Sequence, residues 1–330
     1  MMNTFLPRFK FTPVAALLVG ALQVVAIGEM SAAPLQMGDI VIATQAGGSV
    51  YQVDPVTGDT THITTGGLLF APSHVLVDRQ GQIFTAERGG RIVKIDPATG
   101  AQTLVADGPL FSKPVALDFA GPNRMVVGNY DFFEGGKLID VDLSTGSSSL
   151  LTSLSNLSNV QDVDVDHLGR VIVLDMGHYN FGGGQIVRFD PSTDQQTTVS
   201  TGGLMFNPSD LLIHPSGNYL VANRINNFTT QILQIDPITG NQQVKLTVPY
   251  EGWIALEDEN TIVYASFFPL QPVLRANLLT GETEVVSHTN VSYNIIGVAV
   301  FSPIPEPTAV MLVMSGGLFL ALGRSRSCRR

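Results

Sequence analysis

The chain has 330 residues, with 28 Asp and Glu against 18 Lys and Arg, a formal net charge of −10, and one cysteine, Cys328. A single thiol rules out a disulfide framework and leaves everything before it without thiol chemistry. The excess of acid argues against nucleic acid and anionic lipid surfaces as partners, and is compatible with cations or neutral polymers such as glycans.

In chain order, the first feature is a leader. Arg8 and Lys10 precede an apolar stretch at residues 13–27, and small-x-small patterns follow at Ala26-Ile27-Gly28 and Ser31-Ala32-Ala33. Basic, apolar and small-residue segments in that order read as a signal peptide over residues 1–33, which predicts export. The body, residues 34–302, carries 12 basic and 26 acidic residues, a net charge of −14. At that size one domain can bury most of its unfolded surface.

The body is built from copies of one unit. Six segments share a pattern: Val53-Asp-Pro-Val-Thr-Gly58, Ile95-Asp-Pro-Ala-Thr-Gly100, Val141-Asp-Leu-Ser-Thr-Gly146, Phe189-Asp-Pro-Ser-Thr-Asp194, Ile235-Asp-Pro-Ile-Thr-Gly240 and Ala276-Asn-Leu-Leu-Thr-Gly281. Each reads as a hairpin turn in which Asp or Asn caps the turn, proline presets φ and glycine takes φ > 0. Asp194 replaces that glycine once, and Asp tolerates the same conformation. Between these hairpins lie pairs of strands around a polar turn, such as Val75-Leu-Val-Asp78 with Ile83-Phe-Thr-Ala86, and Val163-Asp-Val-Asp166 with Val171-Ile-Val-Leu174. The capping residue steps by 42, 46, 48, 46 and 41 positions, the period of a four-stranded propeller blade.

The first repeat has three strands of its own, and a surplus strand, residues 295–301, follows the last. Pairing the two would complete blade 1 and leave no long open edge. The expected fold is therefore all-β, a six-bladed β-propeller over residues 34–302 with four strands per blade and one-plus-three closure.

The chain ends in Pro305-Glu306-Pro307, an uncharged apolar run at residues 308–323, and Arg324, Arg326, Arg329 and Arg330. The run is expected to form a single apolar helix close to the length that spans a membrane, with the arginines stopping it on the cytoplasmic side. Pro-Glu-Pro, a short apolar helix and an arginine cluster, in that order over residues 303–330, resemble the PEP-CTERM sorting signal of exopolysaccharide-producing Gram-negative bacteria. The resemblance implies processing by an exosortase, an inner-membrane intermediate, and a body delivered to the cell surface or extracellular matrix. The repeat, especially Gly81-Gln-Ile-Phe-Thr-Ala-Glu87 leading to Arg91-Ile-Val-Lys-Ile-Asp96, resembles NHL-repeat, SMP-30/gluconolactonase-like and streptogramin-lyase-like propellers.

Hairpins of the Asp-Pro-x-Thr-Gly kind and turns such as Asp78-Arg-Gln-Gly81 share one face of a propeller; the longer, aromatic connections share the other. On that loop face Phe70, Phe111 and Phe206 plug the gaps between blades or serve as platforms for sugar rings. Tyr130, Phe132, Phe133, Tyr179 and Phe181 are the better candidates for binding a glycan or matrix component. Glu87, Asn129, Asp175, Asn223 and Ser266 recur at the end of each second strand. They are read either as oxygen ligands around the channel for Ca²⁺ or Mg²⁺, or as caps on the loops. Lactonase-like relatives hold a divalent ion with Glu, Asn and Asp, which makes Glu87, Asn129, Asp175 and Asn223 the implied metal ligands of a hydrolase or lyase. His74 and His178 would be its candidate general bases. Asp162-Val-Asp-Val-Asp-His-Leu-Gly169 begins like a calcium loop but has Val173 where a bidentate Glu belongs. Within that run Asp164 stands out, because its counterparts are read as the apolar Leu76, Ala116, Leu212 and Ala255, and a carboxylate there needs a partner or a metal.

Overall fold

The computed structural model describes residues 33–131, 135–154, 157, 159–177, 183–288, 291 and 294–302. Among them, 24 strands form six antiparallel sheets of four strands each. Five sheets use four successive strands, running from an inner to an outer position. The sixth joins Ile295–Val300 to Ile40–Thr44, Ser49–Val53 and Thr60–Thr65, with Ile295–Val300 innermost. The sheets are the blades of a six-bladed β-propeller.

The hairpins form as their residue types dictate. Asp54 Oδ1 accepts the amides of Val56 and Thr57 at 2.7 and 2.9 Å, and the Gly58 amide closes the turn on the Asp54 carbonyl at 2.9 Å. Asp96, Asp142, Asp236 and Asn277 repeat this arrangement. At the departing position Asp194 takes φ 56°, matching Gly240 at 71°.

The core lies between blades. Six clusters of buried side chains each pair one blade with the next: Phe84, Ala86 and Ile92 of blade 2 meet Leu117, Met125 and Val127 of blade 3. A sheet covered on both faces has no polar-out side, so the second strands, such as Ile83–Glu87 and Val171–Asp175, are buried at every residue. The outer strands touch solvent. Gln195–Thr201 is exposed at most positions.

The inner strands, Ile295–Val300, Pro72–Val77, Pro114–Gly121, Val160–Val165, Asn207–Ile213 and Gly252–Asp258, surround the central channel. In blades 2 to 5 the register shifts near the start of the inner strand: Pro72/His74, Pro114/Ala116, Val160/Asp162 and Pro208/Asp210. Such bulges re-aim the residues that follow them. Among the described residues no helix is long and apolar enough to cross a membrane. The expected leader, the sorting residues Pro305, Glu306, Pro307, Arg324, Arg326, Arg329 and Arg330, and the 308–323 run lie outside the described residues.

Candidate functional site

The proposed metal ligands are placed at one equivalent position per blade, the strand end that supports the incoming loop. Glu87 Oε2 accepts the Phe70 and Ala71 amides at 2.9 and 3.0 Å, and Oε1 accepts the Thr85 hydroxyl. Asn129 Oδ1 accepts the Lys113 amide, and its Nδ2 donates to Ser112 Oγ. Asp175 takes the Asn159 amide on one oxygen and Gln185 Nε2 on the other. Asn223 Oδ1 accepts the Phe206 amide, and Nδ2 donates to the Leu204 carbonyl. Ser266 Oγ accepts the Phe268 amide. All five are buried, and none lines the central cavity. Of the two readings of these residues, the hydrogen bonds present are those of loop caps: each side chain accepts a backbone amide of the loop it supports, and none of the five lines the central cavity.

In two of the three similar loops the inter-blade plug sits one residue before the expected aromatic. Gly66–Leu69, Gly108–Phe111 and Gly202–Met205 each close a tight turn whose fourth residue points inward. Leu69, Phe111 and Met205 are therefore buried, whereas Phe70 is 80% exposed and Phe206 39%. Only Phe111 of the three phenylalanines is a plug.

Five side chains in the channel form a second group. His74, Asp162 and Asp210 occupy one level, each directly after the bulge of its inner strand, and Asp118 and Asp164 face each other one pleat away. This corrects the sequence alignment of Asp164, whose counterpart is Asp118 and not Ala116. The aspartates accept amides from the next blade's inner strand: Asp118 from Val165 at 2.6 Å, Asp162 from Leu211 at 2.8 Å, Asp164 from Ile213 and Asp210 from Ile254, both at 2.6 Å. Inner strands have a free edge toward the channel, and these carboxylates satisfy its otherwise orphaned donors. Burial and then the neighbouring carboxylate hold Asp118 and Asp162 well above the ordinary range. Burial, the largest cause, raises Asp164 and pushes Asp210 up to about 6. Asp118 lies against Asp164 and Asp162 against Asp210, so in each pair the negative charge of one carboxylate disfavours ionisation of the other. Burial lowers His74 to about 4, so its imidazole is neutral at physiological pH.

On the loop face, blades 5 and 6 assemble a row of five rings that sequence reasoning does not single out. Phe228 lies 6.3 Å from Tyr250, Tyr250 5.6 Å from Phe268, Phe268 5.7 Å from Phe267, and Phe267 5.8 Å from Trp253, between centroids. Phe228 is 72% exposed and the other four are half-buried. Tyr250 takes φ 64°, a conformation a bulky residue adopts only under tertiary constraint. Its carbonyl accepts Thr230 Oγ1 and Tyr264 Oη, and its amide donates to the Phe228 carbonyl. Beside the row, Arg224 Nη1 pairs with Glu251 Oε2 at 3.0 Å. Of the aromatics expected to bind, Tyr130 is half-buried with the Lys113 ammonium 5.1 Å from its ring centre. Phe132, Phe133, His178, Tyr179 and Phe181 lie outside the described residues.

Comparison with solved structures returns the same architecture. A chain of the nidogen/laminin complex superposes with a TM-score of 0.65 at 11% identity, over 80% of this chain and 99% of that one. TolB from Acinetobacter baumannii gives 0.60 at 13% identity, over 79% and 66%. A Bacteroides fragilis protein described as a 6-phosphogluconolactonase gives 0.54 at 10% identity, over 79% and 97%. Likeness at such identities establishes the propeller and nothing about a ligand, since one fold hosts many activities. No protein-family model and no curated protein matches the chain.

Proposed function

We propose that this is an exported binding propeller whose loop face holds an extracellular glycan or matrix component. The observation that carries the reading is the row Phe228–Tyr250–Phe268–Phe267–Trp253, presented partly to solvent, with four of its rings on the connections between strands and Trp253 at the start of an inner strand. Aromatic faces stack against the apolar C–H faces of sugar rings, and the adjacent Glu251 carboxylate, partly exposed and held by Arg224, can accept hydroxyls. The acidic body fits a neutral polymer better than an anionic one. The leader and the Pro-Glu-Pro, apolar and arginine-rich tail support export, exosortase processing and display at the cell surface or in the matrix. The tail then touches the membrane only before processing.

The competing reading is a lactonase-like hydrolase or lyase with Ca²⁺ or Mg²⁺ on Glu87, Asn129, Asp175 and Asn223; the loop-capping hydrogen bonds of these four residues favour the binding reading over it. The test is binding of the full chain to exopolysaccharide and defined neutral glycans on an array. Removing one stacking ring, in Phe228→Ala or Phe268→Ala, is expected to weaken binding roughly two- to tenfold, from about 0.5–1.5 kcal/mol per ring contact. The double variant should lose binding. Unchanged glycan binding in the double variant refutes the site.

A further inference from the structure

The channel holds a constellation that the loop-face reading does not use. His74, Asp162 and Asp210 come from blades 2, 4 and 5 and meet only because three bulged inner strands turn the same position toward the axis. One nitrogen or oxygen from each lies within 4.8 Å of the others. Donor atoms around a metal bound at 2.0–2.2 Å are roughly 3–4.4 Å apart, so side-chain adjustments of a few tenths of an ångström would close the set on one ion.

Two further observations point to a ligand. His74 has poor partners for a side chain only 15% exposed: Nε2 is 3.5 Å from Asp162 Oδ1, and Nδ1 is shielded from solvent with no hydrogen-bond partner among the described residues. Such a group costs free energy unless something binds it. The second observation is charge. The cavity, of about 190 Å³, is lined by four carboxylates, one imidazole and apolar side chains, with no lysine or arginine among its lining residues. Backbone amides satisfy part of the carboxylates' capacity but supply no counter-charge.

We propose that the channel binds one divalent transition-metal ion on His74, Asp162 and Asp210. One imidazole nitrogen and two carboxylate oxygens suit Zn²⁺ or Mn²⁺ better than Ca²⁺, which prefers an all-oxygen shell. Water can complete the coordination from the cavity. The ion balances the Asp162–Asp210 pair and ties blades 2, 4 and 5 across the channel, independently of any glycan on the loop face.

The test uses the untagged full chain, stripped with EDTA, dialysed, and titrated separately with ZnCl₂, MnCl₂ and CaCl₂. Bound metal is measured by elemental analysis and stability by thermal melting. The expected result is one equivalent of Zn²⁺ or Mn²⁺ retained, with a melting temperature several degrees higher. Affinity should fall at least tenfold in Asp210→Asn and His74→Ala but stay unchanged in Asp118→Asn, one pleat away. Should the site variants fail to fold, Co²⁺ added to the stripped wild type still decides, through the visible absorption bands of low-coordinate Co²⁺. No retained metal together with a melt insensitive to all three ions overturns the proposal and leaves bound protons as the charge balance. Affinity unaltered in Asp210→Asn overturns the ligand assignment.

Discussion

Glu87 offers the sharpest test of how this propeller holds its loops. Its buried carboxylate accepts the Phe70 and Ala71 amides and the Thr85 hydroxyl. Glu87→Ala strands both amides at a partly buried loop. Each orphaned donor costs about 1–3 kcal/mol, and with partial access to water the pair should cost ~2–4 kcal/mol. For a domain of this size that lowers the melting temperature by about 5–15 °C. Glu87→Gln keeps a carbonyl oxygen for the same amides, as Asn129 and Asn223 do in blades 3 and 5, and should cost under ~1 kcal/mol. The sign of the pH effect follows from burial, which outweighs the hydrogen bonds and the Arg91 charge and raises the Glu87 pKa. A raised pKa contributes stability that is full below the ordinary carboxylate value and is lost as pH rises through the folded value. Glu87→Gln should remove that loss. Urea melts of the three proteins at several pH values are the assay. A glutamine variant as damaged as the alanine variant would mean that the charge itself is needed, and an alanine variant within ~0.5 kcal/mol of wild type would refute the cap.

The hairpins make two further predictions. Hydrogen bonds from turn amides and neighbouring hydroxyls lower the pKa of Asp54, Asp142, Asp190 and Asp236. Their contribution is therefore present above the ordinary Asp value and lost as pH falls through the depressed one. Asp54→Asn combined with Asp236→Asn, copying Asn277, should flatten acid unfolding followed by circular dichroism below about pH 4, and an unchanged acid transition would contradict this. The turn glycines should differ in tolerance. Gly281 has φ 74° and open space where a β-carbon would stand, so Gly281→Ala should cost only the left-handed conformation, about 1–2 kcal/mol. At Gly240, φ 71°, a β-carbon would lie 2.3 Å from the Val199 carbonyl oxygen of the preceding blade, so Gly240→Ala should cost at least twice as much. Equal urea midpoints for the two variants would refute the close-approach argument.

The blade is legible in the sequence because every blade repeats the same local problem. A capped hairpin, Asp-Pro-x-Thr-Gly, is solved by residues within six positions, so its signature survives in the linear chain, down to Asp194 standing in for glycine. The same locality explains why the loop-end residues stand out as a recurring set, with capping among their readings. Their alternative reading as a metal ring depends on where the oxygens point, and only the folded loop, with Phe70 and Ala71 aimed at Glu87, decides that.

Where function turns on contacts between blades, the linear signal fades. A bulge near the start of an inner strand is marked in the sequence only by a proline, in three of the four blades that carry one, and that proline does not say which side chain enters the channel. That is why the pattern of apolar positions hides Asp118 as the partner of Asp164. It is also why His74, Asp162 and Asp210 share a level although 136 positions (210 − 74) separate the first from the last. A one-residue offset likewise hides that Leu69 and Met205, and not Phe70 and Phe206, fill the gaps. The ring row joins Phe228 to Phe268 through three separate connections. Turn chemistry and strand period are short-range, so the sequence by itself determined the blade and its count. Channel charge, plug identity and the aromatic row depend on the register of one blade against the next, which only tertiary packing decides.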